Sequence, residues 1–256
     1  MNINKAEIIG KPDTEEDAVI EIEHLNKTFG KDEILKDINL KVKRGETVVT
    51  LGKSGTGKSV TLKCIVGLLK PTSGTVFVLG KDVVNIPYKE LQSLRKNIGF
   101  IFQSGALYDS MSVRENLKFP LIRHEKLSGP DIENRIKEAL SDVGLENALN
   151  KMPSELSGGM RKRVGLARSL ILKPEIMLYD EPTTGLDPAT SREISNLILK
   201  MQEKFSVTSV VVTHDIECAE LTADRIVVLK NGVYSSEGGY EELRKSGDPF
   251  VRGFFE

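Results

Sequence analysis

The octapeptide GKSGTGKS, Gly52 to Ser59, constrains the fold of this chain more than any other part of its 256 residues. It fits the spacing G-x-x-x-x-G-K-[ST], and it stands between a β-branched run, "ETVVTL", and an apolar stretch of helical length, "KSVTLKCIVGLL". A strand, a glycine turn and a helix in that order predict an α/β core with the turn at a strand's carboxyl end. The glycines let the backbone curl so that its N–H groups converge on phosphates. Gly52, Lys53, Ser54, Gly55, Thr56, Gly57 and Val60 are the expected cradle. Lys58 reaches the β- and γ-phosphates, and the Ser59 hydroxyl is a natural Mg²⁺ ligand.

A metal beside a phosphate needs a carboxylate, and "IMLYDE" supplies it. The apolar strand Ile176 to Tyr179 ends in Asp180, a second metal ligand, and Glu181 follows where it can polarise a water for attack on the γ-phosphate. Three more residues close apolar runs or lie by turns. Gln103 ends "IGFIF" and is placed either to touch Mg²⁺ or the attacking water, or to face solvent. His214 ends "SVVVT" and is placed either to contact the γ-phosphate or to serve structure alone. Phe29, in "NKTFGKDE", stacks on a base or fills a core; the local sequence weighs the two equally.

A second glycine turn, "ELSGGMRKRV", carries Ser157, Gly158 and Gly159 before a helical segment. A helix N-terminus of this kind suits an anion, yet the turn lacks the lysine and hydroxyl pair of a complete loop.

The remaining text organises around these sites. Residues 1–17 read as a polar leader, and strands are expected at "AVIEIE", "INLKV", "ETVVTLG", "TVFVLG" and "IGFIFQ". From about 104 to 172 helical patterns prevail, with Ile132, Ile136, Leu140 and Val143 at helical spacing. Strands return at "EIMLYDE", "SVTSVVVTHD" and "RIVVLKNGV". Between the first two lies a helix whose Ile194, Leu197, Ile198 and Met201 form one apolar stripe. Asn231-Gly232 marks a hairpin turn. Cys64 and Cys218 have no metal-ligand spacing and read as small buried hydrophobes in a reducing compartment. Thirty-six basic and 37 acidic side chains give no reason to expect nucleic acid as a partner. No uninterrupted apolar stretch is long enough to span a membrane, so the expected location is cytoplasmic.

The ordered set GKSGTGKS, Gln103, LSGGM, IMLYDEP, GLDP and His214 resembles the nucleotide-binding domain of ABC (ATP-binding cassette) ATPases over about residues 18–246. The resemblance implies a P-loop NTPase fold, with a RecA-like α/β core, an antiparallel β subdomain and an inserted α-helical subdomain, followed by a short tail over 247–256. It implies ATP and Mg²⁺ as cofactors, Phe29 against adenine, Gln103 and Asp187 in the Q-loop and D-loop places, Glu181 as catalytic base and His214 as switch histidine. It further implies a head-to-tail dimer with a second copy of the chain, in which Ser157, Gly158 and Gly159 cover the partner's ATP.

The wording of Phe102 to Leu121, an apolar segment where such ATPases dock on a permease helix, is most similar to ATPase subunits of Mla-type (MCE) phospholipid transporters. So is the tail "DPFVRGFFE", whose Phe250, Phe254 and Phe255 are expected to be exposed for a partner. This similarity implies integral-membrane permease subunits, MCE-domain and STAS-domain accessory proteins, and a peripheral place on the cytoplasmic face of the inner membrane. Two other readings stay open at this point: a transporter ATPase for an amino acid, peptide or drug, and a soluble ABC protein without a permease. One departure is Met160, where many cassette ATPases have Gln. Met has no side-chain donor, so any hydrogen bond made by that Gln is lost or replaced.

Overall fold

The structure is a computed structural model that describes residues 18–256; the expected leader over 1–17 lies outside the described residues. Two sheets share the work. The first pairs β1 (Ala18–Phe29) with β2 (Asp32–Lys43) and β4 (Ser73–Val78), all antiparallel, with β5 (Lys81–Asp82) at the edge. The second has the order β10 (Val233–Gly238), β9 (Arg225–Lys230), β3 (Thr47–Leu51), β8 (Thr208–Thr213), β7 (Ile176–Asp180), β6 (Ile98–Ile101). Its β9, β3, β8, β7 and β6 are parallel, and β10 closes the edge antiparallel to β9. Every residue of β3, β7 and β8 is buried, as strands covered on both faces require.

The Asn231-Gly232 turn is the expected hairpin, with φ of 53° and 85° at its two central residues, the pair of left-handed positions that a type I′ turn needs. Cys64 and Cys218 are buried as expected, and burial pushes their thiols up to about 11 and about 12.

Between the sheets lie α1 (Lys58–Ile65) and an apolar core that includes Ile20, Ile38, Leu62, Val76 and Leu178. The opposite face of the parallel sheet is covered by α6 (Pro188–Phe205) and α7 (Ile216–Thr222). A third core holds the helical subdomain: α3 (Val113–His124), α4 (Gly129–Asp142) and α5 (Gly158–Leu170). The stripe Ile132, Ile136, Leu140 and Val143 is buried there, as its spacing predicts. Met160 packs against the same core as a half-buried hydrophobe.

Three expectations need correction. The first helix ends at Ile65 rather than running on through "VGLL", because Gly67 adopts φ 66° and its following amides turn back onto Lys63. The first two strands are each 12 residues long, since their polar halves are held in register by each other rather than by an apolar pattern. A short helix, α2 (Tyr88–Arg95), was not legible because only Leu94 among its eight residues is buried.

The chain end also differs from expectation. Phe250, Phe254 and Phe255 are half-buried against the second core, around α8 (Tyr240–Arg244) and α9 (Pro249–Arg252). Tyr240 and Phe255 meet edge to face at 5.2 Å, and Lys230 lies 4.8 Å from the Phe250 ring while pairing with Asp248 at 3.0 Å. Val251 is fully buried. Aromatic side chains at a chain end within reach of an apolar cluster bury against it, because that removes apolar surface from water. Val251→Asp should therefore lower stability by about 2 kcal/mol or more, read as a shift of the urea unfolding midpoint.

Candidate active site

Because β3, β6, β7 and β8 run parallel, their carboxyl ends share one edge of the sheet, and the sequence places a polar residue just past each. β3 delivers the glycine loop, β6 Gln103, β7 Asp180 with Glu181, and β8 His214. They surround a cleft of about 380 Å³, lined by Phe29, Ser54, Gly55, Gly57, Lys58, Ser59, Val60, Gln103, Glu181 and His214 together with Ile34 and Thr184. Ile34 and Phe29 come from the antiparallel sheet, so the cleft lies between the two sheets' ends.

The loop has the backbone that its glycines permit. Gly57 sits at φ 102°, and a Cβ there would stand 2.8 Å from Ile34 Cγ2, so both conformation and space require glycine. Gly52 is packed against Thr56 Oγ1 and the Leu229 carbonyl. Thr56 hydroxyl closes the turn by donating to the Lys53 carbonyl at 2.9 Å. The Lys53 side chain points away from the loop's interior, with its Nζ 5.5 Å from the Phe250 ring.

The charged groups converge. Lys58 Nζ donates to the carbonyls of Gly52 at 2.7 Å and Lys53 at 3.0 Å, and pairs with Glu181 Oε1 at 3.1 Å. Ser59 Oγ donates to Asp180 Oδ1 at 2.6 Å. The second Glu181 oxygen lies 2.8 Å from His214 Nδ1 and accepts from Thr184 Oγ1 at 3.1 Å. Lys58 and Glu181 side chains are 4% and 11% exposed, so their pair is little screened by solvent. Glu181 itself has φ 50°, a left-handed backbone at a non-glycine residue. Such strain persists where surroundings hold it, and here the Glu181 N–H donates to the Val212 carbonyl at 2.9 Å.

The oxygen donors Ser59 and Asp180, already within hydrogen-bond distance of one another, suit a small hard cation such as Mg²⁺, which takes few protein ligands and completes its shell with phosphate and water.

The second glycine turn does not enter this cleft. Ser157 is the N-cap of α5, accepting from the Met160 N–H at 3.2 Å, and Ser157 and Gly158 are exposed. Gly158 lines an adjoining hollow of about 300 Å³ with Arg161, Gly185 and Leu186, which shares Gln103 and Thr184 with the cleft. Gly159 is buried against Thr190, where a Cβ would come within 2.7 Å of Cγ2. Asp187 is likewise outside the cleft. It caps α6 by accepting from Thr190 N at 3.0 Å and Thr190 Oγ1 at 2.6 Å, and these bonds hold its carboxyl below the usual range.

Sequence reasoning passed over Ile34, Thr184 and Lys162. The signal for Lys162 was available: Gly159, Lys162, Leu166 and Leu170 share one buried helical face, and a lysine on such a face needs a partner.

The sequence matches the family model described as "ABC transporter" over residues 35–184. The probable ribonucleotide transport ATP-binding protein mkl of Mycobacterium tuberculosis is 42% identical over 235 residues, covering 92% of this chain but 66% of its own length. The intermembrane phospholipid transport system ATP-binding protein MlaF of Haemophilus influenzae is 38% identical over 238 residues, 93% of this chain and 90% of that protein. Among solved structures, the dimeric post-hydrolysis state of the ATP-binding cassette MJ0796 bound to ADP and Pi superposes with a TM-score of 0.80 at 37% identity, over 86% of this chain and 98% of that one. With a family model matching residues 35–184 and relatives 42% and 38% identical over more than nine-tenths of its length, the chain belongs to the ABC transporter family.

Proposed function

We propose that this chain energises phospholipid transport between membranes as the ATP-hydrolysing subunit of an ABC transporter, acting as a head-to-tail pair with a second copy of itself. The observation that carries the hydrolytic reading is the convergence of Lys58, Glu181 and His214 on one cleft of about 380 Å³, with Asp180 joined to it through Ser59. In the proposed cycle ATP lays its adenine on Phe29, which is 45% exposed, and its phosphates in the loop from Gly52 to Ser59. Lys58 then exchanges its ion pair with Glu181 for the β- and γ-phosphates. The released carboxylate accepts a proton from the attacking water, and His214 contacts the γ-phosphate. Ser59, Asp180 and Gln103 would hold Mg²⁺, which neutralises charge on the β- and γ-oxygens.

Ser157 and Gly158, both exposed and neither lining the chain's own cleft, favour a site completed by a second chain. An antiparallel copy brings its α5 N-terminus over the first chain's phosphates, with Asp187 near the shared boundary. ATP then stabilises the closed pair and hydrolysis releases it.

The permease contact belongs to the segment between Phe102 and Leu121. Its loop is fixed by Asn116, whose buried side chain accepts from Tyr108 N at 2.8 Å and donates to the carbonyls of Tyr108, Met111 and Ser112. Tyr108 is exposed, with the Arg168 guanidinium 4.6 Å from its ring, and borders a hollow of about 440 Å³ with Phe100, Phe102, Pro120 and Leu172. That surface suits a short amphipathic helix of an integral-membrane subunit. Among the described residues no helix is long and apolar enough to cross a membrane, so the spans are assigned to that subunit and this chain to the cytoplasmic face of the inner membrane.

Cargo rests on the resemblance to Mla-type systems, on which MCE-domain and STAS-domain partners also depend, and on the near full-length match to the Haemophilus protein. Purification of the complex from native membranes should yield a permease, an MCE-domain protein and phospholipid by mass spectrometry. An unrelated permease with no MCE partner would overturn the cargo assignment.

A further inference from the structure

Lys162 has no part in the cycle described above, yet it is the most deeply placed cation of the helical subdomain's signature helix α5, at 7% exposure. Its neighbours in the run Arg161 to Arg163 are unlike it: Arg161 is exposed, and Arg163 reaches outward to Glu193. Lys162 turns inward instead. Its Nζ donates to the backbone carbonyl of Gln103 and, at 3.3 Å, to that of Glu181. Asp180 and Glu181 favour its charge, while burial opposes it and lowers its pKa overall. A buried ammonium satisfied by carbonyls of two different loops is costly to place and geometrically exacting, because removing it takes the donor from the Gln103 carbonyl and leaves the Glu181 carbonyl only the Thr184 N–H at 3.3 Å.

The two carbonyls are not arbitrary. One belongs to the loop after β6, and the other to the residue whose left-handed backbone, φ 50°, aims the Glu181 carboxylate. The same helix grips strand β6 and the loop after it at further points. Ser169 Oγ donates to the Phe100 carbonyl at 3.1 Å, Arg168 donates to the Ala106 carbonyl, and Gly165 lies so close to the Gly105 carbonyl that a Cβ would stand 2.7 Å from its oxygen. Helix α5 and the Gln103 loop are therefore zipped together, and Lys162 is the one side chain among these donors that extends the zip to Glu181.

We infer that Lys162 is a positioning residue for hydrolysis: it ties the backbone of Glu181 and of Gln103 to the signature helix. The inference rests on the composite-site reading above and deepens it. The N-terminus of α5 serves the partner's nucleotide, whereas Glu181 and Gln103 serve the chain's own. One ammonium thus connects the seating of Ser157 on one ATP to the aim of the base at the other.

The test compares Lys162→Met, which keeps length and removes the donors, with Lys162→Gln, which keeps one donor group, in the full chain. Steady-state ATPase assays should show kcat reduced about tenfold or more for Met and by less for Gln, with KM for ATP within about threefold of the parent. In a Glu181→Gln background, Lys162→Met should still form the ATP-dependent dimer by size-exclusion chromatography. An unchanged kcat in either variant that folds, or a loss of the dimer together with a rise in KM, would overturn the positioning role. Failure of Glu181→Gln with Lys162 intact to dimerise on ATP would instead remove the composite-site reading itself.

Discussion

Glu181→Gln is expected to bind ATP with near-parent affinity, to lose turnover by about 10²-fold or more, and to accumulate as a closed dimer at saturating ATP. The amide fills the space of the carboxylate and still accepts from Thr184 Oγ1, whose bond to Glu181 Oε2 is 3.1 Å. It cannot take a proton from water. It also ends the ion pair that holds Lys58 at 3.1 Å, so Lys58 no longer has to leave a charged partner to meet the phosphates. Binding is thereby helped while chemistry is removed, and these opposite signs distinguish a base from a residue that merely supports the loop. Equilibrium binding of a fluorescent ATP analogue and phosphate release measure the two separately. Phosphate release at the parent rate would rule Glu181 out as the base.

Mixing Lys58→Ala with Ser157→Arg protomers is expected to restore activity that neither has alone. Lys58→Ala removes the ammonium from a buried position where it has three oxygen partners, and should cost about 10²-fold or more in kcat/KM. Ser157→Arg places a long side chain on an exposed turn, and should block the site it covers while leaving its own cleft intact, because Ser157 does not line that cleft. A mixed dimer contains one site with a parent loop and a parent turn. Titrating one variant into the other should raise the specific ATPase rate through a maximum near equal amounts. A rate that never exceeds the weighted sum of the two, under conditions where tagged protomers co-purify as mixed dimers, would remove cross-chain completion.

Much of the site was legible because it is local. Gly52 to Ser59 specify a turn by backbone freedom and side-chain chemistry within eight residues, and Asp180, Glu181 and His214 follow apolar runs whose lengths fix them at strand ends. The stripe on α4 and the Asn231-Gly232 turn were readable for the same reason. The aromatic tail was misread. Nothing in "DPFVRGFFE" reveals that the apolar cluster around α7 and β9 is within reach, and burial is decided by that cluster. Lys162 was overlooked because three adjacent cations look alike in a string. In a helix they point 100° apart, and of the three it is Lys162 that is buried and bonds the loop after β6.

What the sequence determined by itself is the candidate chemistry: a phosphate-loop pattern, a candidate metal-binding aspartate, a candidate base, and a glycine turn without a lysine. Each is encoded in short spacing, and short spacing survives without knowledge of the fold. The tertiary structure decided which of these meet. The parallel order of β3, β8, β7 and β6 draws residues from Lys58 to His214 onto one edge, while Ser157 stays exposed outside that cleft. It also decided that Lys162 bonds the carbonyls of Gln103 and Glu181, because contacts across 59 and 19 residues depend on how helices pack and not on any local pattern.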